Sequence, residues 1–296
     1  MLITSANLTT LFTSAKAAFN QGETSAPSHW KKIALKQPSS TGEEQYGWMK
    51  NLPGMREWIG PRQVNNISLS GHTIVNKTFE STISVPRTAI EDDSYGFIKP
   101  VLTEMGKAAA THPDELTLAL LREGFVKNCY DNQFFFDTDH PIEINNVMTT
   151  VSNMQAGASA AWYLLDTSRT IKPLIFQERL PYELQEMTDS SDQNVFKNDE
   201  FLYGVRARGN AGYGLWQLAF GSKAALSSAN YALARQAMQE FKGDGGRPLG
   251  VMPDTLVVPP SLESAGLQIL NSEYGTGGVS NEWRGTAKLI VTPWVL

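Results

Sequence analysis

An α+β fold is predicted for this chain, and three observations predict it. Hydrophobic residues make up 41% of the 296 positions and charged residues 19%, the balance of a globular protein with a real core. Period-two alternation over residues 79–85 and 201–208 marks half-buried strands. Apolar residues at helical spacing over 92–110 and 231–241 mark amphipathic helices.

In chain order, Leu8, Leu11, Phe12, Ala15 and Phe19 share one face of a short helix over 8–19. Ser, Thr, Pro and Gln then dominate from Gly22 to about Gly42, which reads as an irregular arm. The runs 67–69, 72–75 and 79–85, bounded by Gly and Asn, predict extended segments that pair with one another. Beside them Trp48, Met49, Leu52, Met55, Arg56, Trp58 and Ile59 crowd a segment punctuated by Pro53-Gly54 and Gly60-Pro61. Ordinary core is the bland account of this apolar surface. A long hairpin that cannot bury it within its own chain needs a neighbour to cover it. Trp48, Met49, Met55, Arg56, Trp58 and Ile59 are therefore candidate inter-subunit contacts.

Tyr95, Ile98, Leu102 and Met105 define a helix over 92–110, with Asp92 and Asp93 at its dipole-favoured start. Pro100 demands a kink or a displaced start. Thr111-His-Pro-Asp114 reads as a capping box that restarts a second helix through Leu116, Leu120 and Leu121 to Glu123. Downstream, 174–177 is a strand, and 201–208 places Phe201, Tyr203, Val205 and Ala207 on one face and arginines on the other. Gly209-Asn-Ala-Gly212 reads as a turn from which 213–220 runs back as a hairpin partner. Ser228 caps a helix with Tyr231, Ala234, Met238 and Phe241 on its buried face, stopped by Gly243. Residues 255–258 form a buried strand ended by Pro259-Pro260, followed by a short helix over 261–270, a Gly-rich loop and a last strand over 286–292.

Formal net charge is -5, so no Lys/Arg excess marks a phosphate-binding surface. The sequence shows no phosphate loop, no His-Glu-x-x-His, no Gly-x-Ser-x-Gly and no Cys-x-x-Cys. Cys129 is the single cysteine, fits a reducing compartment and reads as an inert buried thiol. The sequons at Asn7, Asn66 and Asn76 carry little weight beside an N-terminus without a secretory pattern, and no apolar run reaches the ~18–20 residues of a membrane span. Asp137-Thr-Asp139-His140-Pro141 holds the residue types of a metal or acid–base site, although Asp and Thr before Pro are also what turns use. Arg206 and Arg208 on one strand face suit an anion, a solvated surface or a salt bridge to a neighbouring subunit. No catalytic residue, metal or cofactor is assigned.

Several strings resemble the Mu-like phage major head subunit family: residues 135–141 (FFDTDHP), 162–169 (WYLLDTSR) with 172–175 (KPLI), 203–216 (YGVRARGNAGYGLW), 247–263 (RPLGVMPDTLVVPPSLE) and 281–286 (NEWRGT). The likeness is dense from about Asp92 onward and looser before it. It implies the Hong Kong 97-type capsid fold, with an N-terminal arm over 1–42 and an E-loop hairpin over 43–88. A peripheral domain with a spine helix would take 89–145 plus 282–296, and an axial domain 146–281. The resemblance also implies a non-enzymatic subunit of the virion, made in the host cytoplasm, that forms hexamers and pentamers of a shell around double-stranded DNA. Scaffolding protein, portal and a decoration protein are the expected partners, and no membrane is involved. The sequence shows no long charged helical extension before the arm, from which a separate scaffolding protein is inferred. An acidic subunit suits a DNA container, because strong non-specific attraction would hinder packing and release. An encapsulin-like or gene-transfer-agent shell subunit is the alternative on the same fold, and a metal-dependent enzyme using Asp137, Asp139 and His140 is the alternative outside it.

Overall fold

A computed structural model describes residues 2–47, 71–92, 95–144, 147–243, 246–275 and 278–296. Its helices are α1 (Ser5–Ser25), α2 (Trp30–Ile33), α3 (Arg87–Glu91), α4 (Ile98–Glu123), α5 (Gln193–Asn198), α6 (Ser228–Gln239) and α7 (Glu263–Leu270). Its strands are β1 (Ala34–Pro38), β2 (Glu43–Gly47), β3 (Gly71–Val75), β4 (Lys77–Pro86), β5 (His140–Ile144), β6 (Val147–Val151), β7 (Met154–Gln155), β8 (Trp162–Leu165), β9 (Leu174–Met187), β10 (Glu200–Tyr213), β11 (Ala219–Ser222), β12 (Thr255–Val258) and β13 (Lys288–Val291).

The helical layer differs from expectation in ways that proline and glycine explain. Pro100 sits in the first turn of α4, where a missing N–H costs nothing, so the start is displaced rather than the helix kinked there. Asp92 ends α3 instead of opening α4. No new helix starts at Thr111. Pro113 is buried inside α4, and the Thr111 hydroxyl donates back to the Lys107 carbonyl at 3.0 Å. Asp114 caps a different helix: its carboxylate accepts the backbone N–H groups of His29 and Trp30 at 2.9 and 2.5 Å, at the start of α2. Burial raises the Asp114 carboxyl above its usual range although these donors oppose the shift.

The segment expected to be irregular is largely ordered. α1 continues to Ser25, and β1 adds to β9 in parallel from Ala34↔Leu174 to Pro38↔Glu178. Its polar composition misled because an edge strand needs few apolar side chains of its own. Here Trp30, Ile33 and Ala34 supply them, and Trp30 packs on Phe176 at 4.7 Å between ring centroids.

A four-stranded sheet has the order β1-β9-β10-β4. β4 pairs with β10, from Glu200↔Pro86 to Gly209↔Lys77, and not with β3, which pairs with β2. The expected turn at 209–212 is also absent, because β10 runs through it to Tyr213. Its glycines serve close approach instead. A Cβ at Gly209 would lie 2.5 Å from the Gln177 carbonyl oxygen, and one at Gly212 would lie 2.3 Å from Ile74. After Tyr213 the chain makes a 3-10 turn (Trp216–Leu218) and enters the second sheet as β11.

That second sheet has the order β13-β12-β8-β11-β7. Every residue of β8, β11 and β12 is buried, as continuous rather than alternating apolar runs require. α6 is capped by Ser227, one residue before the expected cap, and it buries Tyr231, Ala234 and Met238. The last strand, β13, joins this sheet in parallel with β12. The return to α4 comes after it, where the Arg122 guanidinium donates to the Leu296 carbonyl at 3.0 Å.

Two apolar cores result, and α4 belongs to both. Its Ile98, Leu102, Met105 and Ala109 pack with α1, Val85, Leu184 and the first half of β10. Its Leu118 and Leu121 pack in the core of the five-stranded sheet. α1 reaches α4 through a backbone-to-backbone crossing: a Cβ on Gly106 would lie 2.0 Å from the Phe19 carbonyl oxygen, and one on Gly22 would lie 1.9 Å from that of Thr103. Helix propensity alone would reward Gly106→Ala by about 1 kcal/mol. The crossing predicts the opposite sign, a loss of roughly 1–3 kcal/mol from overpacking against backbone. Urea unfolding of the unassembled subunit measures it, and a stabilised variant would refute the crossing.

Candidate functional site: the hairpin root, the arginine strand and the histidine cluster

β2 and β3 form a separate two-stranded ladder, from Glu43↔Val75 to Gly47↔Gly71. Of the predicted contact residues, Trp48, Met49, Met55, Arg56, Trp58 and Ile59 lie outside the described residues. What the structure does describe is how this ladder is rooted. Gln177 of β9, fully buried, donates through its amide to the Ile74 carbonyl at 3.1 Å and to Asn76 Oδ1 at 2.8 Å. Its Oε1 accepts the Tyr46 hydroxyl at 2.8 Å. One side chain thus holds both strands to the sheet. Burial, with the Glu44 charge adding to it, pushes the Tyr46 hydroxyl up to about 12, so it stays a donor at any physiological pH.

A second set of bonds closes the root on its outer side. Glu44 accepts from the Ser40 and Thr41 backbone N–H groups and the Ser39 hydroxyl, at 2.8, 3.2 and 3.0 Å, which holds its carboxyl below the usual range. Asn76 donates to Ser39 Oγ at 2.8 Å and to the Thr41 carbonyl at 2.9 Å. Gln177 was not singled out from the sequence, where it is one glutamine in a strand-like run. Its role arises only when distant strands meet over it.

Arg206 and Arg208 lie on the same face of β10, as alternation predicts. Arg206 is exposed and registers opposite Glu80 on one side and Glu183 on the other. Such a row favours cross-strand charge pairing over capture of an anion. Arg208 is half-buried, and among the described residues its buried Nε has no hydrogen-bond partner.

The predicted Asp137, Asp139 and His140 cluster does not converge. Asp137 accepts the backbone N–H groups of Phe134 and Thr138 at 3.1 and 2.7 Å, as a turn residue does, and Asp139 is exposed. His140 is fully buried and stacks on Trp216 at 4.0 Å between centroids. Its Nδ1 faces Asp131 Oδ2 at 2.7 Å and its Nε2 faces Asn153 Oδ1 at 3.2 Å. The Asn153 amide is oriented by donating to the Phe135 carbonyl at 2.8 Å, while its Oδ1 accepts the Asp137 N–H at 2.9 Å. Nε2 therefore carries a proton. Asp131 also accepts the Cys129 thiol at 3.0 Å. Burial pushes the Asp131 carboxyl up, but the His140 and Cys129 hydrogen bonds outweigh it and hold the group below its ordinary range. Burial and the adjacent carboxylate both push the Cys129 thiol up, so alone it is an inert thiol.

The other strings that suggested a family turn out to be structural locks. Asp166, fully buried after β8, accepts from Ser168 and from the Met252 backbone N–H at 3.0 Å. Arg169 donates to the Leu249 and Gly250 carbonyls at 2.6 and 2.7 Å, and Asp254 accepts from the Thr167 N–H and hydroxyl, both at 2.8 Å. The 162–169 and 247–258 segments are thereby stitched together. Asn281 closes the end of α7 through the Ile269 and Ser272 carbonyls, each at 2.9 Å. None of these groups is arranged around a space for a substrate.

With no catalytic constellation among the described residues, comparison with known proteins fixes the assignment. The family described as Mu-like prophage major head subunit gpT matches residues 8–295. The chain is similar to the major capsid protein of Escherichia phage Mu, 42% identical over 305 aligned positions that cover 100% of both chains. It is also similar to the Mu-like prophage FluMu major head subunit of Haemophilus influenzae, 41% identical with 95% of each covered. Among solved structures, a chain of the bacteriophage JBD30 procapsid superposes with a TM-score of 0.88 at 44% identity, covering 99% of this chain and 100% of that one. A chain of the JBD30 capsid gives 0.78 at 34%, covering 100% of both. The fold is the phage capsid fold of Hong Kong 97 type, and the chain belongs to the Mu-like prophage major head subunit family, whose members build heads and are not enzymes.

Proposed function

We propose that this chain assembles with copies of itself, as hexamers and pentamers, into the icosahedral head shell that encloses the double-stranded DNA of a Mu-like phage or prophage. The observation that carries this reading is the full-length superposition on a procapsid subunit at 44% identity. An identity of that size over the whole chain also favours a phage head over an encapsulin-like or gene-transfer-agent shell.

The division proposed with it is the one that the resemblance implies: an arm over 1–42, an E-loop over 43–88, a peripheral domain over 89–145 plus 282–296, and an axial domain over 146–281. The cores cross this division in two places. α4 shares one core with α1 and with Leu184, Phe201, Tyr203 and Val205 of the 146–281 segment, and its Leu118 and Leu121 lie in the core of the five-stranded sheet. β13 ties 288–291 to the axial sheet, so the contact of the C-terminal segment with α4 rests on the last residues. Trp48, Met49, Met55, Arg56, Trp58 and Ile59 are proposed to pack on a neighbouring subunit, with Arg206 and Arg208 as further contacts. A scaffolding protein, a portal and a decoration protein are the other proposed partners. The JBD30 capsid has been solved decorated with minor capsid protein trimers, on a subunit 32% identical to this chain.

Three outcomes are expected. Purified protein, with scaffold and portal supplied, forms closed shells under the electron microscope; a chain that stays monomeric at high concentration would sink the proposal. Deletion of residues 49–59 blocks shell formation yet leaves a soluble subunit with a native circular dichroism spectrum, whereas loss of folding would make that segment core. Gln177→Ala removes three hydrogen bonds at a buried site, at a cost of about 1–3 kcal/mol. It lowers shell yield more than Gly106→Ala does at equal residual stability, as assembly assays at matched folded concentration would read.

A further inference from the structure

Three metal-ligating side chains outside any described role meet at one point. Cys129 Sγ, an Asp131 carboxylate oxygen and a His140 ring nitrogen all lie within 4.8 Å of one another. We infer that Cys129, Asp131 and His140 form a binding site for a zinc-class divalent transition metal.

The geometry is close to what such an ion needs. Bonds of about 2.0–2.3 Å in a tetrahedron set ligand atoms roughly 3.3–3.6 Å apart. Cys129 Sγ lies 3.0 Å from Asp131 Oδ1 and His140 Nδ1 lies 2.7 Å from Asp131 Oδ2, hydrogen-bond distances that must open by roughly 0.3–0.9 Å. The outer support is already in place. Asn153 Oδ1 accepts the Nε2 proton of His140, the hydrogen bond that makes Nδ1, now facing Asp131, the nitrogen that would ligate. Asn153 is itself fully buried and anchored on the Phe135 carbonyl. Trp216 stacked on the ring fixes its plane. A thiolate ligand selects zinc-class ions over magnesium or calcium.

Charge balances as well. A thiolate, a carboxylate and a neutral imidazole neutralise a divalent ion in this buried setting. The thiol proton and the proton shared by His140 and Asp131 leave as the ion enters. Three protein ligands keep a fourth position for water, on the side where the Asp131 side chain retains 10% exposure. The ion would clip the turn that follows α4 to the first residue of β5, adding a tie at the base of the β5–β6 hairpin.

The test uses the full-length unassembled subunit, stripped with a chelator and titrated with Co²⁺. One equivalent should give the visible bands of four-coordinate cobalt and a near-ultraviolet thiolate-to-cobalt charge-transfer band, both removed by Zn²⁺ and not by Mg²⁺. The band reports one site, because the chain has 1 cysteine. Cys129→Ser should abolish the charge-transfer band and weaken Co²⁺ binding by at least about tenfold while keeping the native thermal transition. Cys129→Ala serves as the second variant should the serine disturb folding. Wild-type protein without cobalt bands, or a variant with the wild-type spectrum, overturns the assignment.

Discussion

The structure depends on a single helix belonging to two cores at once. α4 gives its first half to the core shared with α1 and the beginning of β10, and its second half to the core of the five-stranded sheet. A helix of 26 residues spans roughly 40 Å, so it fixes the two bodies at a distance neither could set alone. Its contact with α1 is made by backbone on backbone, since neither Gly22 nor Gly106 leaves space for a single added carbon. Close-packed interiors transmit displacement instead of absorbing it. A shell subunit needs that property, because small errors in one copy accumulate around a closed lattice.

On this frame the β2–β3 ladder is a projection with a rigid root. Gln177, Asn76 and Glu44 satisfy donors and acceptors at the root of the ladder through hydrogen bonds. Buried polar groups of this kind contribute little net stability each, but an incomplete set is costly, so the arrangement is specific. The direction in which the ladder leaves the body is therefore set by the subunit itself.

Legibility from the sequence followed the range of the interactions. β12 was readable to the residue, because a buried apolar run ended by Pro259-Pro260 admits one interpretation. The alternation of β10 gave its buried face and its arginines correctly. The failures lie where a residue's partner is far away in sequence. Gly209 and Gly212 signal a turn locally, yet they serve β9 and β3 packing from more than thirty residues away in either case. Asp114 signals a cap for its own helix and caps α2 instead, 84 positions from Trp30. Pro113 was read as a boundary, but packing on both sides of α4 overrides a preference worth about 3 kcal/mol. The site was less legible than the fold, since Gln177, Asp131 and Asn153 have no local signature at all.

Several conspicuous residues of the strings that resemble the family hold the chain's own loops in place. Asp166, Arg169, Asp254 and Asn281 spend their hydrogen bonds inside the chain, on backbone groups of loops that would otherwise be unsatisfied. A loop held by side chains can be irregular and still have one conformation. An enzyme would direct such groups at a substrate. In this chain they are directed at its own backbone. The body is thus held in one conformation, and in part made recognisable, by its internal locks.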